Sequence, residues 1–98
     1  MSEARITREG PGRLRLTGPV DTATVPGLLR ASRGLLEADG DGALEIDLGG
    51  VTRMDSAGVA LLLDWQRDAP AGLRYGNPPD QMRAIVDFCG LEDILALA

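Results

Sequence analysis

At 98 residues the chain can build one small domain and not two, and its 44% hydrophobic content is too high for a disordered chain. Aromatic residues make up only 3%, so the core must come from Leu, Val, Ile and Ala. The formal charge of −5, with all ten positive residues Arg, argues against a nucleic-acid binder, which needs a basic excess. The absence of His removes the usual general base and the commonest metal ligand, and the single cysteine, Cys89, excludes an intrachain disulfide and a Cys-based zinc cage.

The opening MSEARITREG has no apolar stretch of the kind a signal peptide carries, and the longest apolar run, Val59–Leu63, is far too short to span a bilayer. A soluble protein is expected, one that can serve a membrane system only through a partner. In chain order, residues 4–8 and 13–17 predict two short strands, with Ala4, Ile6, Leu14 and Leu16 facing inward and Gly10-Pro11-Gly12 turning between them. Arg5, Arg8, Arg13 and Arg15 then fall mainly on the solvent face. The segment TATVPGLLRASRGLLE predicts a helix with Thr24 as N-cap and Val25, Leu28, Leu29, Leu35 and Leu36 on one face, Ser32 in register with them. Gly27 and Gly34 weaken it by roughly 1 kcal/mol each.

Asp39-Gly40-Asp41-Gly42 is a turn from helix to strand, since the later ligands of a calcium loop are missing. Residues 45–65 then predict a short apolar strand, a Gly-containing loop and a strongly apolar helix from Ser56 to about Asp68, ending before Pro70. A further strand covers Leu73–Tyr75. Asn77 and Pro78 open a third helix with Met82, Ile85, Val86 and Cys89 on its apolar stripe, closed by Gly90. Cys89 there reads as a small core residue. Leu91, Ile94, Leu95 and Leu97 suggest a last helical turn packed back on the core. The order is ββαβαβα, read as one α/β domain over residues 1–98: a small, mostly parallel four-stranded sheet with an antiparallel edge strand, packed by three to four helices.

Enzyme signatures are missing. There is no GxxxxGK[ST] phosphate loop, no GxGxxG turn and no GxSxG elbow, and Ser56 has no His to activate it. Asp47 and Asp55 without a pocket signal are weak evidence for acid–base chemistry. The pattern argues against an enzyme, and neither a metal nor a cofactor is expected. What stands out instead is Asp55-Ser56-Ala57-Gly58, a hydroxyl at the positive end of a helix beside two small residues. From the residues alone Ser56 reads as an N-cap worth about 1 kcal/mol. Asp55 offsets the dipole or shares the cap, and Ala57 and Gly58 let the helix start close to the sheet. Trp65, the only Trp, lies late on this helix and reads either as an interface anchor or as packing against a neighbouring helix.

The blocks LRLTGPVDTATVPGLL, LEIDLGGVTRMDSAGVALLL and LRYGNPPDQMRAIVDFCGLEDIL together resemble the STAS domain, the fold of sulfate-transporter tails and anti-sigma factor antagonists. The resemblance implies that Ser56 occupies the position phosphorylated in the sigma-regulating members. TVPGLL and LRYGNPPDQMRAI look most like the STAS subunit of the lipid-asymmetry maintenance (Mla) transporter. That likeness implies a cytoplasmic subunit at the inner face of the inner membrane of a Gram-negative bacterium, bound to the ATPase of an ABC transporter that moves phospholipid. The alternative it leaves open is an anti-sigma factor antagonist that sequesters a kinase-type anti-sigma factor and is switched at Ser56. Many antagonists carry a second small hydroxyl residue where this chain has Ala57, which favours the transporter reading. Either way, the expected docking rim comprises Thr52, Arg53, Met54, Asp55, Ser56, Ala57 and Gly58, with Trp65 as a further contact.

Overall fold

A computed structural model describes residues 3–36, 44–68, 72–91 and 95. Four strands, β1 (Arg5–Gly10), β2 (Arg13–Val20), β3 (Leu44–Met54) and β4 (Leu73–Gly76), form one sheet in the order β1-β2-β3-β4. The β1–β2 hairpin is antiparallel, and the other two pairings are parallel. Helices α1 (Val25–Ser32), α2 (Ser56–Asp68) and α3 (Asp80–Cys89) complete the expected order. The β2–α1–β3 and β3–α2–β4 crossovers advance in the same direction across the sheet, and with right-handed connections this sets both helices on one face.

Strand chemistry shows the same one-sidedness. Ile6, Leu14, Leu16, Ile46 and Leu48 are buried towards the helices. On the opposite face the register aligns Thr7, Arg15, Asp47 and Gly76 in one row and Arg13, Glu45 and Arg74 in the next. Alternating charge across neighbouring strands suits a face in water. Arg8 departs from the expected solvent face: it lies on the helix side of the edge strand and donates to the carbonyl of Leu35 at 3.2 Å.

The third strand is longer than its sequence suggests. Instead of stopping at the glycines it runs eleven residues, with a register shift between its pairings at Asp47 and Gly50. Asp47 Oδ1 accepts the Gly49 N–H at 2.8 Å within this bulge, so Gly49-Gly50 bends the strand rather than ending it. Helix α1 is shorter than expected, because Leu35 and Leu36 fold back to hydrogen-bond the Ser32 carbonyl around Gly34. Thr24 holds the expected N-cap position, although its side chain makes no capping hydrogen bond. The first turn begins at Asp21, whose Oδ1 accepts the N–H groups of Ala23 and Thr24 at 3.0 and 3.2 Å. The Thr24 hydroxyl accepts the Asp21 N–H at 3.0 Å in return, a reciprocal capping box.

Asn77 likewise is not the cap of α3, which follows an extended Pro79. It adopts a left-handed conformation and donates from Nδ2 to Asp47 Oδ1 at 3.0 Å, tying the end of β4 to β3. That bond, then the Gly49 N–H, holds the Asp47 carboxyl below its ordinary value. Gly90 ends α3 as expected, left-handed with φ 68°, while the Leu91 N–H reaches back to the Val86 carbonyl at 2.9 Å. Cys89 and its neighbour Phe88 are exposed, because the buried stripe of α3 narrows to Met82 and Val86. The expected Asp39–Gly42 turn lies outside the described residues. So does most of the last helical turn, although Leu95 is buried and its N–H reaches the Leu91 carbonyl at 3.0 Å.

Trp65 settles between the two readings its position allowed. It is 2% exposed and donates from Nε1 to the Ser32 hydroxyl at 2.9 Å, which in turn donates to the Leu29 carbonyl. It is therefore a core residue that joins α2 to α1 and not a docking anchor. Tyr75 plays the matching part on the other side of α2, donating to the Leu62 carbonyl at 2.6 Å, and burial pushes its phenol pKa upward. Trp65→Phe removes the indole donor and part of the packing, and is expected to cost about 1–3 kcal/mol in urea unfolding. In the wild type, Trp65 fluorescence should be blue-shifted and shielded from iodide.

Candidate functional site

The candidate site is the lip where β3 passes into α2. The sequence permits a close approach there only because residue 58 is glycine. A Cβ on Gly58 would lie 2.7 Å from the Val20 carbonyl oxygen and 2.8 Å from Met54 Cγ. Both are under van der Waals contact, so any side chain would push the first turn of α2 off the sheet. Three bonds fix the lip to three other elements. The Asp55 N–H donates to the Val20 carbonyl of β2 at 3.3 Å, and the Met54 N–H donates to Gln81 Oε1 of α3 at 2.9 Å. The Arg53 guanidinium pairs with the Asp21 carboxylate, which opens α1.

Asp55, not Ser56, caps α2. Its Oδ1 accepts the Gly58 N–H at 3.1 Å, which places Asp55 at N-cap and Ser56 at the first helical position. Ser56 is exposed and its hydroxyl makes no hydrogen bond to another described residue. The cap reading of Ser56 is thereby replaced: a neighbouring carboxylate does that work and leaves the hydroxyl uncommitted.

Two members of the expected rim do not reach the surface. Met54 is 3% exposed and packs under Gly58, and Gly58 itself is buried, so neither offers contact area to a partner. Met54 alternates inward with the core-facing residues of β3, where its flexible chain fills the space beneath the helix start. Thr52, Arg53 and Ser56 are exposed, with Asp55 and Ala57 half-buried between them.

Electrostatically the lip is ordered around Asp21. Its carboxyl is nearly buried and is held below the ordinary 3.8, first by the hydrogen bond from Arg53, against the upward push of burial, and then by the Thr24 and Ala23 N–H groups. Arg53 remains largely exposed on its other side. Beyond Ser56 the outer face of α2 carries exposed Ala60 and Arg67 with half-buried Leu63 and Asp64 between them. Ala60, Leu63, Asp64 and Arg67 line a shallow open hollow of about 410 Å³, opposite the buried Leu61, Leu62 and Trp65. Among the described residues no group of three or more His, Cys, Asp or Glu is placed to hold a metal ion, and no helix is long and apolar enough to cross a membrane.

The sequence matches the family profile described as "Mlab, STAS domain" over residues 4–97, nearly its whole length. The chain belongs to the MlaB-type STAS domain family. Among solved structures, this STAS domain is similar to a chain of the Acinetobacter MlaFEDB complex in its ATP-bound Vtrans2 conformation. The two share 25% identity with a TM-score of 0.79, over 88% of this chain and 93% of that one. It also shares its fold with an anti-sigma factor antagonist from Mycobacterium paratuberculosis (23% identity, TM-score 0.77, 99% of this chain and 85% of that one). The unphosphorylated anti-sigma factor antagonist SpoIIAA is a third relative in fold, at 22% identity and TM-score 0.63, over 97% of this chain and 86% of that one. No curated protein sequence matches the chain.

The structure of this STAS domain thus brings together Thr52, Arg53, Asp55, Ser56 and Ala57 at one lip and withdraws Met54, Gly58 and Trp65 into the core. Reading the sequence missed Asp21, Gln81 and the outer face of α2. The face carried a signal, since Ala60, Leu63 and Arg67 follow Ser56 at four, seven and eleven residues. Asp21 also carried one, as the first residue of an Asp-x-x-Thr box. Gln81 carried none, because its partner is 27 residues away.

Two outcomes follow for this STAS domain. Gly58→Ala should cost about 1–3 kcal/mol in denaturant unfolding, as overpacking of a close contact does. Asp21→Asn should lower stability near neutral pH, and its deficit against wild type should shrink as pH falls below 3.8. The sign follows from the depressed folded-state pKa: the contribution is complete above the unfolded value and is lost as the folded carboxylate protonates. Urea midpoints measured from pH 7 to pH 3 check it.

Proposed function

We propose that this STAS domain is an accessory subunit that docks on the ATP-binding subunit of a phospholipid-trafficking ABC transporter through the lip at Thr52, Arg53, Asp55, Ser56 and Ala57 and the outer face of α2. The observation that carries the reading is the free, exposed Ser56 hydroxyl, one helical turn before the open hollow that begins at Ala60. It is supported by the family match over residues 4–97 and by the likeness to a chain of a complex in its ATP-bound state. Small residues at the helix tip let a partner backbone approach closely, and Leu63 supplies apolar area next to the Asp64–Arg67 ion pair. The domain contributes no phosphate loop, so nucleotide chemistry belongs to the partner, and the domain reaches the membrane only through that complex.

A second reading rests on the same hydroxyl. In an anti-sigma factor antagonist switched at Ser56, a partner kinase passes the γ-phosphoryl group of ATP to Ser56 Oγ, with loss of the hydroxyl proton and release of ADP. The likeness in fold to two antagonists supports it. Ala57, in place of a second small hydroxyl residue, favours the transporter.

Affinity purification of the tagged chain from its own cells should recover an ABC ATPase with its permease. Recovery of a kinase-type anti-sigma factor instead would overturn the first reading in favour of the second. With the partner in hand, Ser56→Ala should bind like wild type, and Ser56→Glu should weaken binding about tenfold or more by placing a hydrated charge against the interface. Equal binding by both variants would remove Ser56 from the interface. Adding the domain to the purified transporter should change its ATP hydrolysis rate, and identical rates with and without it would argue against a regulatory part.

A further inference from the structure

The Asp21–Arg53 pair has no part in the hydrophobic core, yet it belongs to the same lip as the hydroxyl on which both functional readings turn. We propose that Arg53 is a counter-ion held in reserve: Asp21 keeps it at the lip in the resting domain, and it engages the phosphate when Ser56 is phosphorylated. The proposal rests on reading Ser56 as a phosphoacceptor and goes beyond it by naming the residue that answers the modification.

Placement supports it first. Val20 accepts the Asp55 N–H and lies directly against Gly58, so Asp21 and Ser56, each next along the chain, flank one junction. Arg53 and Ser56 are three residues apart, a span of at most about 11 Å even when extended. The guanidinium is about two-thirds exposed, with the Asp21 carboxylate along one edge only. A guanidinium carries five donors in a planar fork, so it can turn from carboxylate to phosphate or bridge the two.

Charge supports it independently. Among the described residues, the ionic groups that bond within the lip are the carboxylates of Asp21 and Asp55 and the Arg53 cation. A phosphate brings about −1.5 to −2 charges into a place with two carboxylates. The α2 dipole offsets only part of that repulsion, and Arg53, three residues before Ser56, is a cation of the same lip. Asp21 can release it without losing its own place, because its Oδ1 still accepts the N–H groups of Ala23 and Thr24. Loosening the pair then frees the end of β3 from the start of α1, so that the mark changes the tethering of the lip as well as its charge.

The test uses the full chain with phosphoserine incorporated site-specifically at position 56, so that no kinase is needed, and follows the phosphate by phosphorus NMR titration. The second ionisation of a phosphoserine lies near pH 6. In the wild type it should fall below that of the Arg53→Gln chain by about one unit, and Arg53→Lys should restore most of the difference. Asp21→Asn should lower it further, since nothing then competes for the guanidinium. A phosphate that titrates identically in wild type and Arg53→Gln overturns the proposal, and two-dimensional amide spectra of both chains verify that each is folded. Intact-mass measurement of the protein from its own cells tests the phosphoacceptor reading separately: failure there leaves the Arg53 result standing, and failure of the titration leaves docking at the lip untouched.

Discussion

Everything at the lip depends on the absence of a side chain at position 58. With hydrogen there, the first turn of α2 sits against the Val20 carbonyl, and three consequences follow from that approach. Asp55 is drawn close enough to bond both Val20 through its N–H and Gly58 through its carboxylate. Met54 is covered and becomes core. Ser56, the first residue clear of the contact, is left on the outside with nothing to do for the fold. A helix that began farther from the sheet would need its own cap, and serine is among the residues that usually serve.

Most of the architecture was legible because it is written in short-range chemistry. Strand alternation at Ile6, Leu14 and Leu16, the run from Val59 to Leu62 and the glycine that closes α3 each depend on neighbours within one or two turns. The errors share a physical cause. Asn77 and Ser56 are residues that cap helices when no better partner is present, and in each case a carboxylate was present; Thr24 keeps its N-cap position but gives its hydroxyl to the Asp21 N–H. Asp47 took Asn77, Asp21 paired with Thr24 while opening α1, and Asp55 displaced Ser56. A propensity describes a residue alone, whereas a cap is a competition among the polar groups that the fold brings within reach.

The rim was half legible for a different reason. Its members were found as a continuous stretch, but a second register shift, between the Gly18–Val51 and Pro19–Arg53 pairings, breaks simple alternation, so Thr52 and Arg53 are both exposed while Met54 turns inward under Gly58. Trp65 illustrates the same limit. A single Trp late on an amphipathic helix fits a surface or a core equally well by periodicity, and the choice was made by Ser32, 33 residues earlier, offering a hydroxyl to the indole. Cys89 erred the other way, since α3 buries only Met82 and Val86 and its last turn projects into solvent.

Because Asp55 and Gly58 secure the helix start, the chemistry of Ser56 is separated from the stability of the domain. A hydroxyl, a methyl or a phosphate at that position meets the same buried framework of Met54, Asp55 and Gly58, and any free-energy consequence falls on the exposed groups of the lip, the Asp21–Arg53 pair among them. The same fold occurs in a chain of a transporter complex and in an anti-sigma factor antagonist, so the fold by itself does not fix the role. In this chain the framework presents an uncommitted hydroxyl on a rigid element. What is particular to this chain lies in the immediate surroundings of the hydroxyl: Ala57 beside it, the Ala60–Arg67 face below it, and, in the same lip, an arginine anchored to a nearly buried aspartate. Specificity and regulation therefore have to be sought in those few side chains, since the sheet and the inner faces of the helices are occupied with holding them in place.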